Sequence, residues 1–214
     1  MPLRGGPRVI AGSARGVELR APRSGRTRPT TGRLRESLFA MLESAGVSFD
    51  RVLDLYAGSG ALGIEALSRG DGEATFVESD AKTAALIREN LQRARLAERG
   101  RVVVARVGRW RPPEGADYTL VLADPPYAET SYDGAADAAN AAPWDAVAAT
   151  VEGALADGAT VVLERGGRQP APETLAGLPL WRDRRQGAGA VAVYRRDTDD
   201  EGHELRNEAE RDGG

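Results

Sequence analysis

Val52-Leu53-Asp54-Leu55-Tyr56-Ala57-Gly58-Ser59-Gly60-Ala61-Leu62-Gly63-Ile64-Glu65-Ala66-Leu67 reads as a buried strand, a glycine turn and a helix. Gly58, Gly60 and Gly63 fit the G-x-G-x-x-G spacing that lets backbone approach a nucleoside where a strand feeds a helix. A second strand, Ala74-Thr75-Phe76-Val77-Glu78, ends on an acid 20 residues beyond Gly58, where a carboxylate can accept ribose hydroxyls. A dinucleotide would also put a pyrophosphate on the helix N-terminus. Asp54, four residues before Gly58, argues against that, because its charge repels a pyrophosphate. It suits a ligand carrying an ammonium and a sulfonium.

Strands and helices alternate outward from this unit, which predicts a mostly parallel sheet covered on both faces. Helices are expected over about 61–69, 81–97 and 143–156, with strands starting near 51, 74, 101, 118 and 159. Two late strands, about 180–185 and 190–195, flank Gly187 and Gly189 and predict a terminal antiparallel hairpin. Upstream, Arg8-Val9-Ile10-Ala11-Gly12 and Val17-Glu18-Leu19-Arg20 predict a small basic hairpin. A polar linker, Pro22 to Pro29, follows it. Thr30 or Thr31 can cap a helix whose apolar face is Leu34, Leu38, Met41 and Leu42, with Phe39 also expected in the core. The organisation is a basic arm over 1–29, one catalytic domain over 30–196 and an acidic tail over 197–214, expected to be disordered.

Composition removes several functions. There is no cysteine, which excludes disulfides, thiolate metal sites and attack on pyrimidine carbon 5 through a cysteine nucleophile. The one histidine, His203, sits in the polar tail, and no metal site is expected. No run reaches the 18 or so apolar residues of a membrane helix, so no membrane partner and a cytoplasmic location are expected. Charge is unevenly spread: residues 1–35 hold nine arginines against one acid, and residues 196–214 hold eight acids against three arginines. A basic arm of this kind is the footprint expected of a nucleic-acid binder.

The apolar run Tyr118 to Ala123 ends in Asp124-Pro125-Pro126-Tyr127, which can continue neither a strand nor a helix. A carboxylate and a ring are thereby held at the mouth of the sheet, where open α/β folds bind ligands. The bland alternative is a strand-end turn in which Asp124 caps the next helix. The tetrapeptide resembles the catalytic motif of amino-group methyltransferases that use S-adenosylmethionine. An amine on a purine ring is a poor nucleophile. A carboxylate and a proline carbonyl accepting its two N–H bonds would localise its lone pair and aim it at a methyl sulfonium. A flipped base stacked on Tyr127 would gain about 1–3 kcal/mol.

Taken together, three segments resemble the RsmD family, bacterial 16S ribosomal RNA guanine-N2 methyltransferases. They are Arg28-Pro29-Thr30-Thr31-Gly32-Arg33-Leu34-Arg35-Glu36-Ser37-Leu38-Phe39, then Asp54 to Gly70, then Asp124 to Tyr127. Val9-Ile10-Ala11-Gly12 to Arg15-Gly16 resembles the family's opening. The resemblance implies the class I, Rossmann-like methyltransferase sheet, seven-stranded with a terminal antiparallel hairpin. It implies S-adenosylmethionine held by Asp54, Tyr56, Ala57, Gly58, Ser59, Gly60, Glu78 and Ser79, and catalysis by Asp124, Pro125, Pro126 and Tyr127. The basic arm predicts RNA contacts at Arg8, Arg15 and Arg28, and the resemblance implies that the segment with Thr31 and Arg33 either guides RNA or closes over the donor. The implied partner is 16S rRNA in the small subunit or an assembly intermediate, and nothing in the sequence demands more than a monomer. In one place the chain departs from the pattern. After the third strand related enzymes place an Asp on the donor's adenine; here Arg106-Val107-Gly108-Arg109-Trp110 carries no acid. Two alternatives stay open: a DNA adenine-N6 methyltransferase with the same motif, and a catalytically silent RNA-binding protein on the same fold.

Overall fold

The computed structural model describes residues 6–22, 32–125, 143–167, 169–186 and 189–196. In chain order they form α1 (Gly32–Ser44), β1 (Arg51–Leu55), α2 (Ala61–Arg69), β2 (Glu73–Glu78), α3 (Ala81–Ala94), β3 (Gly100–Val104) and β4 (Tyr118–Ala123). Then come α4 (Pro143–Val151), β5 (Leu155–Gly166), β6 (Thr174–Leu175), β7 (Leu178–Gln186) and β8 (Gly189–Tyr194). One sheet has the order β3-β2-β1-β4-β5-β8-β7-β6. The strands from β3 across to β5 run parallel, whereas β8, β7 and β6 pair antiparallel.

The central strands are nearly continuous apolar runs because both faces are covered. Val52, Leu120, Leu122, Val162, Val191 and Val193 point to one face, against Leu38, Phe39 and Leu42 of α1, Ile64 of α2 and Ile87 of α3. Leu53, Leu55, Val121, Val161 and Leu163 point to the other, against Val147 and Val151 of α4. Strand order reverses between β1 and β4. That switch point opens a crevice at their carboxyl ends, where an open α/β sheet takes its ligand.

Four sequence expectations need correction. The sheet has eight strands rather than seven: Thr174–Leu175 adds a two-residue edge strand through Ala176 and Gly177, whose φ of 52° and 77° make a tight primed-type turn. Helix α3 stops at Ala94 rather than 97, because Arg95 caps it in the left-handed conformation, φ 59°. Helix α4 stops at Val151 rather than 156, with Gly153 at φ 67°, and β5 starts at Leu155 rather than 159. The early start comes with a register shift opposite Tyr118 and Leu120.

The expected N-terminal hairpin is present as a single bridge, Arg8 to Glu18. The Val9 N–H donates to Val17 O (2.9 Å) and the Leu19 N–H to Pro7 O (2.8 Å). Val9, Ala14 and Leu19 are buried, so the hairpin is part of the core on the α2 and α3 side.

Candidate active site

The turn after β1 is built from backbone in the left-handed region. Tyr56, Gly58 and Gly60 all adopt positive φ (57°, 55° and 76°), a conformation that costs glycine little and tyrosine appreciably. The turn is tied from three sides. Ala57 N–H donates to Val77 O at 3.1 Å, Gly58 N–H to Glu78 Oε2 at 3.0 Å, and the Asn90 side-chain amide to Ser59 O at 2.8 Å. Asn90 is fully buried on α3 and also exchanges hydrogen bonds with Arg20 backbone (2.8 and 2.9 Å), so one side chain couples the hairpin to the glycine turn.

Asp54 sits beneath this turn, 1% exposed, with Oδ2 accepting the Gly63 N–H at 2.9 Å. Burial, with a smaller push from the Glu78 carboxylate, raises its pKa to about 8, and the Gly63 bond only partly offsets this. Gly63 is required here by space: a Cβ would lie 2.4 Å from Phe76 Cε1 and 2.9 Å from Asp54 Oδ2. Glu78 ends β2; its Oε1 accepts the Asp80 N–H (2.9 Å) and the Ser79 hydroxyl (3.4 Å). Asp80 in turn caps α3 by accepting from Thr83 N–H (2.8 Å).

Asp124 lies at the neighbouring strand end, its N–H donating to Leu55 O at 3.4 Å. Its carboxyl is half-buried and held well above the ordinary range, first by burial, then by Glu164 and Asp54. Pro125 is buried behind it. The structure thus brings Asp54, Tyr56 to Gly60, Glu78, Ser79, Asp124 and Pro125 to the ends of three adjoining strands, β2, β1 and β4. Pro126, Tyr127, Arg28, Thr30 and Thr31 lie outside the described residues. Two site residues were not anticipated from sequence, Glu164 and Asn90. The ladder Leu122↔Val162 and Ala123↔Leu163 puts Glu164 next in line with Asp124. The sequence signal for Glu164 is a charge directly after the apolar run Val161-Val162-Leu163.

The basic arm is more self-satisfied than its composition suggests. Arg8 donates to Gly16 O (2.8 Å) and lies 3.7 Å from Glu18, and Arg20 meets Glu89 at 2.5 Å. Arg35, 3% exposed, donates to Arg8 O and stands 3.8 Å from Glu65. Glu65, fully buried on α2, accepts the Ile10 and Ala11 N–H groups (2.8 and 3.0 Å) and Arg69 Nε (2.8 Å). Arg15 and Arg33 are exposed. In the turn after β3, where the usual acid is missing, Gly108 N–H donates to the Thr150 hydroxyl (2.7 Å), and Arg106 and Arg109 are exposed. Among the described residues no cluster of acids or histidine could hold a metal ion, and no helix is long and apolar enough to cross a membrane.

Asp54, Glu78 and Asp124 are three carboxylates at adjoining strand ends; burial first, and neighbouring carboxylates second, raise the pKa of Asp54 and of Asp124. A donor that brings an ammonium and a sulfonium favours their ionised forms, and a carboxylate at the end of β2 matches its ribose, so the residues fit S-adenosylmethionine. Fold and site together define a class I S-adenosylmethionine-dependent methyltransferase. Over residues 7–195 the chain matches the family described as Conserved hypothetical protein 95, and it belongs to that family, the RsmD family.

Ribosomal RNA small subunit methyltransferase D of Escherichia coli (strain K12) is 32% identical over 194 residues, covering 91% of this chain and 92% of that protein. The solved structure of a hypothetical protein from Thermus thermophilus superposes with a TM-score of 0.69 at 32% identity, covering 88% of this chain and 99% of that one. An RNA methyltransferase from Salinibacter ruber, solved with S-adenosyl-L-homocysteine, shares the fold. Its TM-score is 0.52 at 18% identity, over 78% of this chain and 93% of that one.

Proposed function

We propose that this protein methylates the exocyclic N2 of a guanine in 16S ribosomal RNA, using S-adenosylmethionine, on the small subunit or an assembly intermediate. It acts as a cytoplasmic monomer whose catalytic domain spans residues 30–196. The observation that carries the proposal is the convergence of the Asp54–Gly60 turn and Glu78 with Asp124-Pro125 at adjoining strand ends. A relative 32% identical over 92% of its own length is named ribosomal RNA small subunit methyltransferase D.

The donor supplies a methyl group already activated on sulfur, so the chain's task is positioning and charge stabilisation. Asp54, with Tyr56, Ala57, Gly58, Ser59 and Gly60, holds the methionine half, and Glu78 with Ser79 holds the ribose. Asp124 and the Pro125 carbonyl accept the two N–H bonds of the target amine, Pro126 stiffens the turn, and Tyr127 packs on the guanine. As the N–C bond forms and the S–C bond breaks, one amine proton passes to a carboxylate oxygen of Asp124, whose raised pKa suits it to receive a proton. A base paired in a helix cannot reach this crevice, so the target is unpaired or flipped out.

The test is transfer from labelled S-adenosylmethionine to undermethylated small ribosomal subunits, followed by nucleoside analysis of the RNA. Label in N2-methylguanosine is the expected result. Label in N6-methyladenosine alone, or none despite donor binding, would refute the assignment.

A further inference from the structure

From the catalytic carboxylate to the antiparallel edge of the sheet runs one cross-strand row. The end of the β4–β5 ladder, Ala123↔Leu163, sets Asp124 in line with Glu164. Glu164 pairs with Val191 on β8, and Val191 pairs with Arg184 on β7. One pleat back, Val162 pairs with Val193, which pairs with Arg182. Paired residues share a sheet face. Val162, Val191 and Val193 pack in the core beneath α1, so Arg182 and Arg184 stand on the face that carries Asp54, Glu164 and Asp124. At about 4.8 Å per strand, Arg184 lies three strands, or about 14 Å, from Asp124.

These arginines differ from those of the N-terminal arm. Arg8, Arg20 and Arg35 are engaged by Glu18, Glu89 and Glu65. The Arg184 side chain is exposed and, among the described residues, makes neither a hydrogen bond nor an ion pair. Arg182 is exposed, its guanidinium 4.3 Å from the centre of the Trp181 ring and donating to Trp181 O at 3.0 Å, contacts that leave its charge unneutralised. The acid within this strand, Asp183, is paired with the buried Arg165 on the opposite face, so it does not cancel the pair. β7 therefore carries uncompensated positive charge in register with the reaction centre.

We propose that Arg182 and Arg184 form the track for the phosphates of the single-stranded RNA that flanks the target base. The inference rests on the RNA reading above. A base drawn into the crevice drags its neighbouring phosphates to the rim, and a guanidinium meets a phosphate with two parallel donors. Charge at this position sets how the strand enters; it reads no sequence.

The test compares wild type with the double variant Arg182→Gln/Arg184→Gln, with Arg184→Glu, and with Arg101→Gln on β3 at the far edge as control. Donor affinity and melting temperature report folding. For a labelled single-stranded RNA oligonucleotide, the slope of log affinity against log salt should fall by about 1.4 in the double variant, about 0.7 for each lost phosphate contact. On undermethylated small subunits KM should rise about tenfold, and more for Arg184→Glu, with kcat within twofold and Arg101→Gln unchanged. Unchanged slope and KM in a folded double variant would overturn the proposal. So would a KM increase on subunits with unaltered oligonucleotide binding, which would assign the surface to a protein partner. A wild-type protein that methylates no RNA would overturn both this inference and the function it rests on, whereas an active wild type with an indifferent variant would overturn this one alone.

Discussion

Asp54 is the residue whose behaviour should change most when the donor binds. In the donor-free protein its pKa stands near 8, so at pH 7 about one molecule in ten carries the charge. Only the ionised form pairs with an ammonium or sulfonium, so binding below pH 8 must release a proton. The apparent dissociation constant then scales with one plus the ratio of protonated to ionised Asp54. Between pH 8 and pH 6 donor affinity should fall about 50-fold, equivalent to about 2.3 kcal/mol.

Titration calorimetry at pH 6, 7, 8 and 9, in buffers of different ionisation enthalpy, measures both the affinity and the protons released. The expected outcome is a limb of slope close to one below pH 8 and a plateau above it. Asp54→Asn should bind the donor more weakly and lose that limb; what remains in the variant belongs to Asp124, whose carboxyl is also raised. The sign for stability runs the other way. A raised pKa means the fold favours the protonated acid, so Asp54's contribution to donor-free stability is full below the unfolded value of about 3.9 and is lost as pH rises through about 8. Asp54→Asn should therefore melt higher than wild type at pH 9, and by more than at pH 5. A wild-type donor affinity that is flat from pH 6 to 9 would refute the reasoning.

Three further outcomes are expected. Asp124→Ala should lower methyl transfer by about 100-fold or more while leaving donor affinity within a few-fold, measured by single-turnover kinetics and calorimetry. Glu65→Ala should destabilise the fold by about 3–5 kcal/mol in urea, because it leaves the Arg35 and Arg69 guanidiniums buried without their shared carboxylate. A loss under 1 kcal/mol would show that this ion cluster contributes little. Gly63→Ala should cost about 1–3 kcal/mol, since its methyl meets Phe76, and should weaken donor binding by displacing Asp54; unchanged melting would contradict the packing.

The glycine turn, the run of parallel strands and the strand-end position of Asp124 were all legible in the sequence, because each is a local pattern. Apolar runs define strands, positive-φ glycines define the turn, and a proline pair stops a strand. Features that depend on distant partners were not legible. The early end of α4 follows from the left-handed Gly153, and the edge strand Thr174–Leu175 is too short to leave a period. Charge was legible as a sum, but its partners were not. The arginines of the arm look like a nucleic-acid footprint, yet Arg20 is engaged by Glu89, 69 residues later, and Arg35 by Glu65. Asn90 reads as an ordinary polar residue of a helix until the hairpin and the glycine turn are seen on either side of it.

The hairpin's docking also carries a consequence for synthesis. Its anchors are far ahead in the chain: Ile10 bonds to Glu65 across 55 residues, and Arg20 to Asn90 across 70. At about 5–20 residues per second, a translating ribosome exposes the hairpin several seconds before α3 is made. Through that interval Val9 and Leu19 lack the α3 part of the surface they bury against, and the glycine turn lacks the clasp that Asn90 will supply. The hairpin is therefore made well before it can lock. When it does lock, Asn90 fastens the glycine turn in the same event.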